Sequence, residues 1–270
     1  MRYCLALLLV LAGAFPVLAE IPFQLQGKAT EGGLLIGKTS PGAQVTLDGE
    51  AVPVAPDGHF LLGFGRDAAG IKQLQITGQG GRKDHAITVA ARSFKIERVD
   101  GLAERKVTPD PVAIARINRE KAEMAEARQA SDPAPMFLSG FTWPALGRLS
   151  GVYGSQRILN GKPRRPHFGT DIAAPTGTPV HAMADGRVVF VHAGMFFNGK
   201  TVLIDHGLGL RSVYIHLSDT TVAQGAMVKA GEKIGAIGAT GRATGPHLHF
   251  GLTLGETPLD PELVLGPLPQ

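Results

Sequence analysis

Cysteine is all but missing from this sequence. Its one example, Cys4, lies in an N-terminal stretch built like an export signal, so a processed chain would hold none. That excludes a disulfide framework and leaves histidine and carboxylate as the side chains able to hold a metal. No small-residue lipobox precedes Cys4, which argues against a lipid anchor. Aromatic residues are scarce, at 6%, and no run beyond the N-terminal stretch is long and apolar enough to span a bilayer. Charge of one sign is lacking too: a formal net charge of +4 makes no electrostatic case for nucleic acid as a partner. What the chain has in quantity is glycine, 36 residues, and proline, 19 residues. With so few aromatics, these point to short strands joined by tight turns and to a mostly β fold.

The chain divides by pattern. Residues 1–19 carry Arg2, an apolar run from Leu5 to Val10 broken soon after by Gly13 and Pro16, and the ending Val17-Leu18-Ala19. This reads as a secretory signal, with cleavage expected after Ala19. Residues 20–106 read as a small β-sandwich module of immunoglobulin-like type. Alternating runs such as Gln44-Val45-Thr46-Leu47 and His59-Phe60-Leu61-Leu62 are separated by Asp48-Gly49 and Asp57-Gly58 turns. The module carries no reactive constellation, and a binding or spacer role is expected of it. Residues 107–135 read as a helical linker. Asp110 suits an N-cap, Pro111 the first helical position, and Ile114, Ile117 and Met124 a narrow apolar face. Residues 136–270 return to β patterns, with strands expected at Gly186–Val191, Lys200–Asp205, Leu210–Leu217, Val228–Ile237 and Leu248–Leu254.

Histidines in this last region carry the chemistry. Residues two apart on a strand share a face, so His247 and His249 project together, as would His167 and Asp171 in an extended segment. Two imidazoles and a carboxylate on a tetrahedral Zn²⁺ leave one position open, the arrangement of a catalytic rather than a structural site. His216, in Tyr214-Ile215-His216-Leu217, makes four histidines for three ligand positions, so at least one is available for proton transfer. The H-E-x-x-H motif that supplies a glutamate base to many zinc peptidases is absent. By exclusion the base is His216 or His247, and the other imidazole, as an N–H donor, would stabilise an oxyanion. His206, in a tight turn, is expected to be structural.

Several motifs recur together: His167-x-x-x-Asp171, Asp205-His206-Gly207-x-Gly209, Tyr214-x-His216-Leu217 and Gly241-x-x-x-Gly245-Pro246-His247-Leu248-His249-Phe250. In order and spacing the region from about 140 to 265 resembles the lysostaphin-type (LytM-like) zinc metalloendopeptidases. The resemblance implies a compact antiparallel β fold with a groove floored by a sheet, and one zinc ion per chain held by His167, Asp171 and His249. It implies His216 and His247 as the catalytic pair, and hydrolysis of peptide cross-links in bacterial peptidoglycan. Export without wall-anchoring motifs suits a Gram-negative periplasm and D-alanyl cross-links.

Outside these motifs, Arg157, Arg164 and Arg165 are either a solvated loop or a groove wall attracting the carboxylates of stem peptides. Tyr214 is either a substrate contact or a core residue. A regulatory protein or another wall enzyme is the partner to expect at the N-terminal module. Three rival functions remain in view. A non-haem iron oxygenase also uses two histidines and a carboxylate, but it leaves His216 and His247 without a purpose. A swinging-arm carrier is suggested by Val228–Gly235, but no lysine flanked by methionine sits at a hairpin tip. The third is a catalytically silent wall-binding activator of the same fold.

Overall fold

The computed structural model describes residues 21–102, 104–129 and 131–269; the signal-like segment and Cys4 lie outside the described residues. The first β region packs two small sheets face to face. One holds β1 (Phe23–Gly27), β2 (Leu34–Thr39) and β5 (His59–Gly63). The other holds β3 (Gln44–Leu47), β4 (Glu50–Val52), β6 (Gly70–Gly78) and β7 (Gly81–Val89). Leu35, Phe60 and Leu62 from the first meet Val45, Leu74, Ile76 and Val89 from the second in one buried core. That is the expected sandwich.

The sandwich is not insulated from the C-terminal region. Leu34, Ala55 and Leu61 belong to the same core as Leu252 and Leu259 near the end of the chain. Arg92 bonds the buried Asp260 carboxylate at 2.8 Å. The next strand, β8 (Ile96–Val99), pairs with neither sandwich sheet. It runs parallel to β10 (Gln156–Leu159), which pairs in turn with β11 (Lys162–Pro163). After a short helix α1 (Glu104–Val107) comes α2 (Pro111–Ala127), capped by the Asp110 carboxylate on the Ala113 amide. Its buried face is Ile117, Glu120 and Met124, whereas Ile114, expected on that face, is 46% exposed.

A ten-stranded sheet dominates the rest. Its main path runs β17 (Met227–Val228), β14 (Gly186–Met195), β15 (Gly199–Asp205), β16 (Leu210–Thr220), β19 (His247–Leu254), β12 (Thr170–Ala173) and β9 (Arg148–Gly151). β18 (Lys233–Ile237) joins β16 to β13 (Pro179–His181), and β20 (Thr257–Leu259) pairs with β19. A short helix α3 (Pro261–Leu265) comes last. The single strand expected over Val228–Ile237 is two strands, because the chain turns at Gly231 with φ of 78°. Among the described residues no helix is long and apolar enough to cross a membrane.

Alternation along the central strands sets the site. On β19, Leu248, Phe250 and Leu252 are buried at 0–1% exposure, which sends His247 and His249 to the opposite face. On β12, fully buried Ile172 sends Asp171 to that same face, and Asp171 sits directly opposite His249 in the antiparallel register.

Candidate metal centre

Three side chains converge on this face. His167 Nε2 lies 2.8 Å from His249 Nδ1 and 3.0 Å from Asp171 Oδ1, and His249 Nδ1 lies 2.8 Å from the same oxygen. His167 is in the loop before β12 rather than on a strand, so the strand periodicity expected for His167 and Asp171 does not hold. The loop is pressed against the cluster instead. A Cβ on Gly169 would sit 2.7 Å from the His249 ring, and one on Gly151 would sit 2.5 Å from Asp171 Oδ2.

The protonation pattern follows from the partners. The Val152 carbonyl can only accept, so His167 Nδ1 carries the hydrogen and donates at 3.1 Å, leaving the Nε2 lone pair facing inward. Burial pushes Asp171 up, but hydrogen bonds and charge from His167 and His249 outweigh it and hold the carboxyl well below its usual range. Burial, against the pull of Asp171, takes His249 down to about 4. At neutral pH the Asp171 carboxylate is anionic and the His249 imidazole neutral, as a zinc site requires of its ligands. These three residues form a group able to hold a metal ion, and the donor set fits zinc.

His216 reaches this face by a different route. Tyr214 lies opposite Phe250 and so faces the core, and simple alternation would send His216 the same way. Between the pairs Val202↔Tyr214 and Lys200↔Leu217, however, β16 holds one residue more than β15. This bulge, with φ of 65° at His216, re-aims the side chain. Its ring centroid lies 4.7 Å from that of His247 and 6.4 Å from that of His249. His216 Nδ1 donates to the Thr240 carbonyl and His247 Nδ1 to the Gly245 carbonyl, so both carry their lone pair on Nε2. Burial, reinforced by repulsion from His247 and His249, lowers His216 to about 3.

A cavity of about 520 Å³ opens over Asp171, His216 and His247. Arg148, Arg157 and Arg242 give it a basic lining, while Glu97, Val99 and Leu102 of the β8 segment form one wall. Arg242 is lowered to about 10 by burial and by nearby Arg157 and Arg164, which leaves it a cation at neutral pH. Of the three arginines picked from the sequence, Arg157 alone lines this cavity. It contacts Asp171 Oδ2 at 2.5 Å, which leaves Oδ1 to the imidazoles. Arg164 donates to the Val107 carbonyl at the end of α1 at 2.9 Å, and Arg165 lies over Phe168 within the loop, so neither lines this cavity. Tyr214 must also be corrected. It is fully buried against Phe250, its hydroxyl bonded to Ser212 and the Met183 amide, and no substrate can reach it. His206 is structural, buried between the Asp185 carbonyl and Ser212. Glu97, Arg148 and Arg242 were missed because isolated charges carry no pattern; only the fold gathers them.

Comparison with known proteins bears on the same residues. The sequence pattern of Peptidase family M23 matches residues 165–261. DD-carboxypeptidase/endopeptidase Mpg of Neisseria meningitidis is 45% identical over 106 residues, 39% of this chain and 24% of that protein. Peptidoglycan DD-endopeptidase ShyB of Vibrio cholerae is 43% identical over 95 residues, 35% of this chain and 22% of that protein. The chain thus aligns with about a quarter of the length of these curated relatives. The crystal structure of a peptidase M23 from Pseudomonas aeruginosa matches more broadly. At 30% identity and a TM-score of 0.68, the match covers 88% of this chain and 96% of that one. That match extends well beyond the segment of the family pattern, and the chain belongs to peptidase family M23.

Proposed function

We propose that this protein is a zinc-dependent endopeptidase that hydrolyses peptide cross-links of bacterial peptidoglycan. The observation that carries the reading is the convergence of His167 Nε2, Asp171 Oδ1 and His249 Nδ1 beside a second histidine pair at the floor of an open cavity. Zinc, when held by those three residues, supplies Lewis acidity toward the scissile carbonyl and makes water acidic enough to ionise near neutral pH.

The remaining work falls to the chain. His216 and His247 are the proton-transfer pair, each presenting an unprotonated Nε2 and fixed through Nδ1 by a backbone carbonyl. Burial and repulsion from His247, its ring centroid 4.7 Å away, keep His216 neutral near neutral pH. One imidazole takes the proton of the attacking water. The protonated ring then becomes the donor to the developing oxyanion or the leaving amine. Arg148 and Arg242 suit carboxylates of the stem peptides. The endopeptidase names of the curated relatives support a D-alanyl cross-link as the bond, and wall peptides as substrate imply export to a periplasm.

The test is incubation of the purified protein with defined cross-linked peptidoglycan, with and without a chelator, followed by mass spectrometry of the products. Monomeric stem peptides should appear, vanish on chelation and return with zinc. Absence of cleavage by the zinc-loaded protein, or cleavage indifferent to chelation, would overturn the reading.

A further inference from the structure

We infer that Glu120, a buried carboxylate on α2, is a positioning residue for His216, which makes the linker helix a working part of the site. The inference rests on the proposed role of His216 in proton transfer.

α2 does not lie free. Met124 packs into a cluster with Phe190, Met195 and Leu203, and Glu120 beside it is only 4% exposed. One Glu120 oxygen accepts from the Phe196 amide at 2.8 Å, the other from Arg116 Nε at 2.6 Å. Arg116 also donates to the Gly194 carbonyl. Charge-assisted bonds of this kind are about twice as strong as neutral ones. The helix thereby grips the turn between β14 and β15 from outside.

The inner side of that turn holds His216. The Asn198 carbonyl, two residues beyond Phe196, accepts from the His216 amide at 2.8 Å. The Phe197 carbonyl accepts from the Arg242 amide, and the Lys200 amide donates to Thr240 Oγ1. Thr240 in turn supplies the carbonyl that fixes the His216 ring. Backbone and imidazole of His216 are thus both clamped by the turn and by the segment fastened to it. The clamp is needed because φ of 65° is a conformation that side-chain-bearing residues adopt only when their surroundings over-determine it. With the outer grip gone, the turn can relax and His216 can fall back toward ordinary strand geometry, which points away from His247.

The experiment compares Glu120→Ala and Glu120→Gln in the full, zinc-loaded chain. Turnover of a cross-linked peptide, zinc content and exchange of histidine ring N–H protons in ¹⁵N-histidine NMR spectra are measured together. Glu120→Ala should lower kcat about tenfold with KM within about twofold and zinc retained, since a misplacement of about 1 Å already lowers rates steeply. The His216 Nδ1 proton should exchange faster. That of His206, bonded to the Asp185 carbonyl away from the turn, should not change. Glu120→Gln keeps an oxygen for the Phe196 amide and should recover most of both readouts. Unchanged His216 exchange in Glu120→Ala would overturn the inference, as would equal acceleration at His206, which means general loosening. If His216→Ala proves fully active the catalytic reading fails, yet ring exchange still decides whether Glu120 holds His216.

Discussion

Replacing His249 and His216 one at a time separates metal binding from proton transfer. His249 Nδ1 is one corner of the cluster with His167 and Asp171, so His249→Ala leaves two donors where three converged. Metal content and activity should fall together. Bound metal favours the folded state by about 4 kcal/mol when its concentration is about a thousand times Kd. For a chain of this size, losing that lowers Tm by about 10 °C. His216 lies outside the cluster, its ring 6.4 Å from that of His249, and its one ring hydrogen bond goes to the Thr240 carbonyl. His216→Ala forfeits about 1 kcal/mol for that bond, a Tm change of about 2–4 °C, and zinc stays bound. Turnover should nevertheless fall by a factor of order 10²–10⁴. At 1.36 kcal/mol per decade that is about 3–5 kcal/mol of barrier, well above the stability loss. Metal analysis, thermal unfolding and single-turnover cleavage on the same preparations give all three quantities. If His216→Ala stripped the metal while His249→Ala kept it, this division of the histidines would be refuted.

Two further outcomes stem from burial. Folded-state values of about 4 for His206 and His249 and about 3 for His216 lie below the value of about 6.5 expected for an unfolded histidine. Over that window the unfolded chain binds more protons, so the metal-free protein should lose stability as pH falls from about 6.5 to 4. His206 alone accounts for on the order of 3 kcal/mol. His206→Gln should flatten the decline of Tm with falling pH, and a Tm that holds level between pH 6.5 and 4 in the unmutated protein would contradict this linkage. Leu61, 3% exposed in the core shared by the sandwich and the large sheet, should cost about 2–5 kcal/mol when cut to Ala. The single tryptophan, Trp143, belongs to that core and reports on it by fluorescence. A urea midpoint by Trp143 emission that did not move in Leu61→Ala would show that the two β regions unfold independently.

Much of this site was legible in local pattern. The apolar series Leu248, Phe250, Leu252, alternating with His247 and His249, admits one way of burying a strand, and it presents both histidines on one face. The lack of cysteine beyond Cys4 narrowed the donors to imidazole and carboxylate, and the capped helix start at Asp110 and Pro111 was equally plain. These features rest on interactions within a few residues. The placement of His216 was not legible, because a bulge is an event between strands and alternation read along β16 alone assigns its side chain to the core with Tyr214. For the same reason the strand pattern left Tyr214 open between substrate contact and core, and its packing against Phe250 decides for the core. The arginine-rich loop read equally as a solvated loop or a groove wall, because partners outside the loop, the Val107 carbonyl and Asp171, decide where Arg164 and Arg157 go. By itself the sequence determined which residues could bind metal and move protons. Tertiary structure alone decided which of them meet, because strand register, the bulge and the docking of α2 depend on contacts between segments that no local pattern encodes.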